Sequence, residues 1–248
     1  NFLIECVSSL SWALMNLGFY VLIFKYTAEI GQGSGWGKHE FFVFLATTMI
    51  VNSLVQAFFM PNCARFSELI RTGDLDFVLL KPIDTQFLVS LEKLELPMIT
   101  QVVFASGLLG YSLYQIGQPV PVTAVIMYLL LLVAAVTFFY SLMIGLAATS
   151  IFFGRNQGLL DFWFYVTIFA RYPSSIYSGS PSGEILRFAF SYVIPILLVV
   201  TVPARVLLGK TLEPNWLSGL TLLMGLASFI VSRCIFHWAL RHYRSASS

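Results

Sequence analysis

The segment Val122–Phe153 contains 32 consecutive residues with no charged side chain, and it restricts the chain's possible folds more than any other feature. At 1.5 Å per residue a helix over it is about 48 Å long, beyond the ~30 Å hydrocarbon core of a bilayer, so the helix must tilt or project from the lipid. Further apolar runs cover residues 2–24, 41–60, 98–116, 159–172 and 216–238. Continuous runs of this length, without strand-like alternation, indicate helices, which satisfy every backbone group within the lipid. The fold class read from this pattern is an all-α integral membrane protein with six transmembrane helices in one domain spanning residues 1–248. Composition agrees: 58% of the residues are hydrophobic and 10% charged, whereas soluble domains carry about 25% charge.

Residues 183–209 are apolar enough to enter a membrane, but Pro195 removes a backbone donor in mid-segment and Pro203 follows it. Arg187 and Arg205 stand near the ends. A re-entrant hairpin, or a helix lying in the outer leaflet, fits this pattern better than a seventh crossing, provided its backbone is buried in protein. Six crossings place both termini on the side that carries Arg65, Arg71, Lys81, Lys93, Arg155, Arg241 and Arg244. Lys25, Lys38, Arg171, Arg187, Arg205 and Lys210 fall on the other, a weak positive-inside bias.

Residues 65–82 interrupt the apolar pattern with a dense charged segment between two membrane runs. Phe66, Leu69 and Ile70 fall on one helical stripe and Arg65, Glu68 and Arg71 on another, so a short amphipathic helix is expected, stopping at Gly73. The run 41–60 is expected to end at Pro61 and Asn62. Asp84 reads as the N-cap of a second amphipathic stretch whose stripe is Phe87, Leu88, Leu91 and Leu94. The second of these stretches joins the third membrane helix at Pro97.

Several chemistries find no support in the sequence. The run ending in Gly37-Lys38 superficially matches a phosphate-binding loop. Gln32 replaces its first glycine, however, and His39 replaces its Ser or Thr, so no nucleotide site is expected. His39, His237 and His242 lack the spacing of metal ligands, and Cys6, Cys63 and Cys234 lack a CxxC pair. No nucleophile motif is present, the net charge of +2 is dispersed, and no nucleic-acid partner is implied. The spanning runs show no evident polar stripe, which speaks against a passive channel. Asp161 and Arg171 are charges in or near the fifth run. With the aromatic Phe164 and Tyr165 they are the candidate lining of a pathway, expected between two chains because six helices enclose little polar surface. Their positions near the helix ends favour the plainer reading, in which Asp161 sits at the inner interface near Arg155 and Arg171 at the outer one.

The core Arg71-Thr72-Gly73-Asp74-Leu75-Asp76-Phe77-Val78-Leu79-Leu80-Lys81-Pro82 resembles the first cytoplasmic loop of type-2 ABC exporter permeases, in the subfamily with paired permease genes. Gly35-Trp36 with Glu40, Phe169-Ala170-Arg171-Tyr172-Pro173 with Ile176-Tyr177, and Pro203-Ala204 with Leu207-Leu208-Gly209 extend the resemblance over nearly the whole chain. The resemblance implies a cytoplasmic coupling helix, an external hairpin, and a multi-pass subunit of a bacterial inner membrane. It also implies an ATPase partner in two copies, which holds ATP and Mg2+ while this chain binds no cofactor, and a second related permease, with transport outward. The ATPase-coupling residues would be Arg65, Glu68, Leu69, Arg71, Thr72, Gly73, Asp74, Leu75, Asp76 and Lys81. A non-transport scaffold, or a subunit of a lipid-modifying complex, is the alternative. The chain opens without an initiator Met, and the resemblance implies a basic amphipathic segment upstream.

Overall fold

The computed structural model describes residues 2–30, 35–153, 165, 168–177, 179–210, 212 and 216–243. In chain order the α-helices are α1 (Phe2–Tyr26), α2 (Lys38–Phe58), α3 (Met60–Thr72), α4 (Leu75–Leu79), α5 (Thr85–Leu91), α6 (Leu96–Ile116), α7 (Val122–Ala148) and α8 (Ser150–Phe153). They continue with α9 (Pro181–Phe188), α10 (Ile196–Leu207) and α11 (Leu217–Arg241). A 3-10 turn covers Ser174–Tyr177, and a β-bridge joins Glu29 to Gly37.

Pro61 does not end α2. The Phe59 N–H donates to the Val55 carbonyl at 2.9 Å and the Cys63 N–H to the Phe59 carbonyl at 2.9 Å, so helical bonding passes through Phe59 into α3. Pro61 lies in the first turn of α3, where its fixed φ suits a helix start. The expected stop at Pro61 and Asn62 is therefore corrected: α2 and α3 run on as one apolar span, Lys38–Thr72, of 35 residues. The stop expected at Gly73 is where the helix ends, with φ of 81°, a left-handed conformation that glycine adopts without steric cost.

Helix α2 is the central element, packed along α6 and touching α7 and α10. Phe41, Phe44, Val51 and Val55 on it are fully buried. Helix α11 lies along α7, where a Cβ added at Gly225 would stand 3.0 Å from both the Cβ and the carbonyl oxygen of Ala134. Helix α1 packs on α6 and leaves Leu3, Val7, Met15 and Phe19 exposed.

Contacts sort the elements to two ends of the bundle. At the α3 end, Phe66 meets Phe236 of α11 (centroids 5.3 Å), Ser67 shares a 2.8 Å hydrogen bond with Ser150 of α8, and the Ser9 hydroxyl of α1 donates to Pro97 at the start of α6. At the opposite end, Trp36 donates from Nε1 to the Ser175 hydroxyl at 2.9 Å, Tyr20 meets Tyr172, and Lys210 pairs with Glu40 at 2.9 Å. The chain is thus at the α3 end at Phe153 and at the Trp36 end by Tyr172. The expected fifth helix, 159–172, lies largely outside the described residues.

From Ser175 to Lys210 the chain goes in and returns to the Trp36 end. Pro181–Val193 and Ile196–Leu207 meet at 84°, with the bend at Ile194 and Pro195, as expected for a hairpin in 183–209. Residues Ile196 to Ala204 of α10 are all buried. Leu198 packs on Leu131, which lies about 14 Å along α7 from its start. Helices α1, α2, α6, α7 with α8, and α11 are long and apolar enough to cross a membrane.

Candidate functional site

The charged segment folds as a platform across the α3 end. The inward face of α3 is formed by Phe66, Leu69 and Ile70, all buried, while Glu68, Arg71 and Thr72 face outward. Arg71 pairs with Glu68 one turn back. The Thr72 hydroxyl donates to Asp74 Oδ2 at 2.7 Å, which fixes that carboxylate at the turn through Gly73. Asp74 and Lys81 are exposed.

Other residues proposed from sequence for this surface are engaged within the chain. Leu69 and Leu75 are buried supports. Arg65 turns to Glu92 at 3.1 Å. Asp76 is half-buried beside Tyr243, whose phenol is pushed up in pKa by burial and then by the Asp76 charge.

The platform is tied to the bundle by polar residues that helix patterns do not reveal. Asn62, read above as a helix breaker, is a clamp: its Nδ2 donates to the Phe58 and Lys93 carbonyls, both at 2.7 Å, and its Oδ1 accepts from the Lys93 N–H at 2.8 Å. Asp84 caps α5 as expected, accepting the Phe87 N–H at 2.9 Å, and also takes both guanidinium nitrogens of Arg233 of α11 at 2.7 and 2.5 Å. This bidentate bond, ahead of the backbone bond, holds the Asp84 carboxyl down to about 2.

Helix α5 reverses the usual amphipathic arrangement. Gln86 and Ser90 are buried, and both bond the Tyr140 hydroxyl of α7, at 3.0 and 2.8 Å. The apolar Phe87 and Leu91 face outward, as suits a helix whose outer medium is lipid.

Sequence analysis missed a groove of about 730 Å³ between α1, α2 and α6. Thr48, Asn52 and Gln56 form one stripe of α2 at spacing four, and Glu5, Ser8, Trp12 and Asn16 form the facing stripe of α1. This corrects the expectation that no spanning helix carries a polar stripe; a periodicity count of polar rather than apolar residues would have found it. Its floor is a hydrogen-bonded chain: Ser53 donates to Gln101 Oε1 at 3.0 Å, and Gln101 Nε2 donates to the Ser9 carbonyl at 2.9 Å. The Asn52 Oδ1 is buried without a partner.

Among the four candidate pathway residues, Arg171 lines this groove at its Trp36 end. Tyr165 is exposed and is not part of the lining. Asp161 and Phe164 lie outside the described residues. Among described residues the groove is therefore built on α1 and α2 rather than on the aromatic fifth run.

No curated protein and no solved structure gives a significant match to the chain. The model of the family described as "ABC-2 family transporter protein" matches residues 10–247. That match covers the platform, the hairpin and the α2 wall of the groove, and the chain belongs to the ABC-2 transporter family as a multi-pass membrane permease component of an ABC transporter.

Proposed function

We propose that the chain is one half of an exporter's membrane unit, driven by a separate ATPase that docks on Glu68, Arg71, Thr72, Asp74 and Lys81. The observation that carries this reading is the continuity of α2 and α3. One end of this rod presents the exposed charges of the platform, and its middle presents Thr48, Asn52 and Gln56 to the groove.

A rotation of about 10° at Phe59 moves Thr72, roughly 20 Å away, by about 3.5 Å, and moves Thr48, roughly 16 Å away on the other arm, by about 3 Å. ATP-driven closure of two ATPase copies, each holding its own ATP and Mg2+, would thus be felt directly at the groove. In this reading the α3 end faces the cytoplasm of a bacterial cell and the Trp36 end faces outward. The groove on α1 completes its pathway against a second, related permease, and cargo moves from the α3 end toward Arg171.

Reversing the platform charges, Glu68→Lys together with Asp74→Lys, tests the docking. The double variant should insert normally and lose most of the co-purifying ATPase, because removing one member of a buried interfacial charge pair costs several kcal/mol. Full ATPase recovery would assign docking elsewhere.

A further inference from the structure

A second groove, of about 290 Å³, lies between α5, α7 and α11 beside Phe59 of the α2–α3 junction. We infer that it binds a phospholipid of the leaflet on the α3 side, one whose head carries a phosphate followed by a primary ammonium. The lining is graded along the bundle. On α11 the apolar Phe229 stands one turn, about 6 Å, further from the α3 end than Arg233, and on α7 Val136 stands one turn further than Tyr140. Phe87 and Leu91 of α5, both exposed, form another apolar wall. Asp84 does not line the groove; it grips the Arg233 guanidinium from the cap of α5. From the floor outward the order is thus apolar wall, cation, anion, the same as acyl chain, phosphate and ammonium in such a lipid.

Arg233 keeps donors for the phosphate. A guanidinium has five N–H groups in a fixed fork, and Arg233 gives two to Asp84, at 2.7 and 2.5 Å, and one to Gln86 at 3.5 Å. Among the described residues this leaves the Nε–H and one Nη2–H, a parallel pair that matches two phosphate oxygens. The side chains of Arg233 and Asp84 are 41% and 36% exposed, so a head group reaches both. A primary ammonium offers Asp84 a positive charge and N–H donors. A choline head has no N–H to give, and an anionic lipid without an amine brings its charge beside the carboxylate. The groove is at the low end for a drug-sized ligand, so it takes the glycerol region, and the acyl chains continue over Ile230 and Leu226, exposed on α11 three and seven positions before Arg233.

The test uses the intact chain carrying Leu91→Trp, a reporter at the exposed edge of the groove, in phosphatidylcholine nanodiscs with no ATPase present. Phosphatidylethanolamine, phosphatidylglycerol or phosphatidylcholine with dibrominated chains is titrated in, and quenching is read as the difference from the protein with native Leu91. The ethanolamine lipid should quench saturably and at several-fold lower mole fraction than the other two. Arg233→Lys keeps the charge and loses the fork, and should raise the mole fraction needed about tenfold. Asp84→Asn should abolish the preference over phosphatidylglycerol, because it removes both the ammonium's partner and the charge that repels an anion.

Phe87→Trp serves as the reporter if Leu91→Trp fails to insert, and the comparison of the three lipids decides the matter even where Arg233→Lys does not fold. Equal quenching by all three, as from ordinary contact with the surrounding bilayer, overturns the inference. So does stronger quenching by phosphatidylglycerol, which would make the groove a plain anion site, or a preference unchanged in both Arg233→Lys and Asp84→Asn, which would leave the pair a purely structural tie. Docking of the ATPase is measured separately by charge reversal at Glu68 and Asp74, so either reading can fail without the other.

Discussion

Replacing Asp84 separates its two roles, because Asn keeps the helix cap and loses the charge whereas Ala loses both. The carboxylate accepts the Phe87 N–H and grips Arg233 through both oxygens. Its pKa falls from an ordinary 3.8 to about 2, which at full weight corresponds to about 2.5 kcal/mol. The pair is about two-fifths exposed on the Arg233 side and 36% on the Asp84 side, so solvent screening reduces this to about 1 kcal/mol. Asp84→Asn should cost about 1 kcal/mol and Asp84→Ala about 2 kcal/mol, the further loss being the cap.

The sign with pH follows from a depressed carboxylate. The stabilisation is complete above about pH 4 and is lost as pH falls through 4 toward 2. Thermal unfolding of the reconstituted protein at pH 7 and at pH 3 reads both effects. The native protein should lose part of its margin over Asp84→Asn at the lower pH. Equal stability of native and Asp84→Asn at pH 7, or a margin that widens on acidification, refutes the role given to the pair.

Three further outcomes are expected. Gly73→Ala places a side chain at a φ of 81° and should cost about 1 kcal/mol, loosening the turn that presents Asp74 and lowering ATPase recovery more than it lowers insertion. Gly225→Ala drives a methyl group onto the Ala134 backbone at 3.0 Å and should destabilise by about 1 to 3 kcal/mol in thermal unfolding, with Gly225→Leu failing to fold. Cysteines placed at Ser182 and Leu212, in a chain lacking Cys6, Cys63 and Cys234, should both react with an impermeant thiol reagent from one face of the membrane; labelling from opposite faces would turn the hairpin into a crossing.

Much of the architecture was legible because lipid imposes a length on apolar runs: α6 starts at Leu96 and α7 at Val122, where proline and uncharged turns marked their edges. The buried stripe of α3 was legible for the usual reason, a spacing of three and four. Pro61 misled because a proline ends the helix before it only when its missing N–H and ring disrupt that helix; here Phe59 shifts to a φ of −116°, and the Ala57 carbonyl that Pro61 cannot bond accepts the Glu95 N–H at 2.9 Å. The stripe of α5 did not say which way it faces: the Tyr140 hydroxyl needed partners from Gln86 and Ser90, and Phe87 was left outward. Asn62 and Arg233 owe their roles to residues 31 and 149 positions away, and no local pattern encodes such pairs. The groove was hidden because Thr48, Asn52 and Gln56 are diluted among apolar neighbours.

The hairpin has a consequence for how the chain is made. Helix α10 is wrapped by α2 and α7, and Pro203 within it lacks the N–H that would bond the Val199 carbonyl. Lipid has no donor for that carbonyl. The segment is therefore poorly suited to wait alone in the bilayer, as α1 or α6 can, and its slot exists only once α2 and α7 have been paired. Biogenesis should run in an order set by this dependence: the early helices assemble first, residues 181–207 settle into the prepared cleft, and α11 closes over α7 last. A chain stalled before α7 would expose an unfilled cleft on α2, the kind of surface that membrane quality-control proteases recognise.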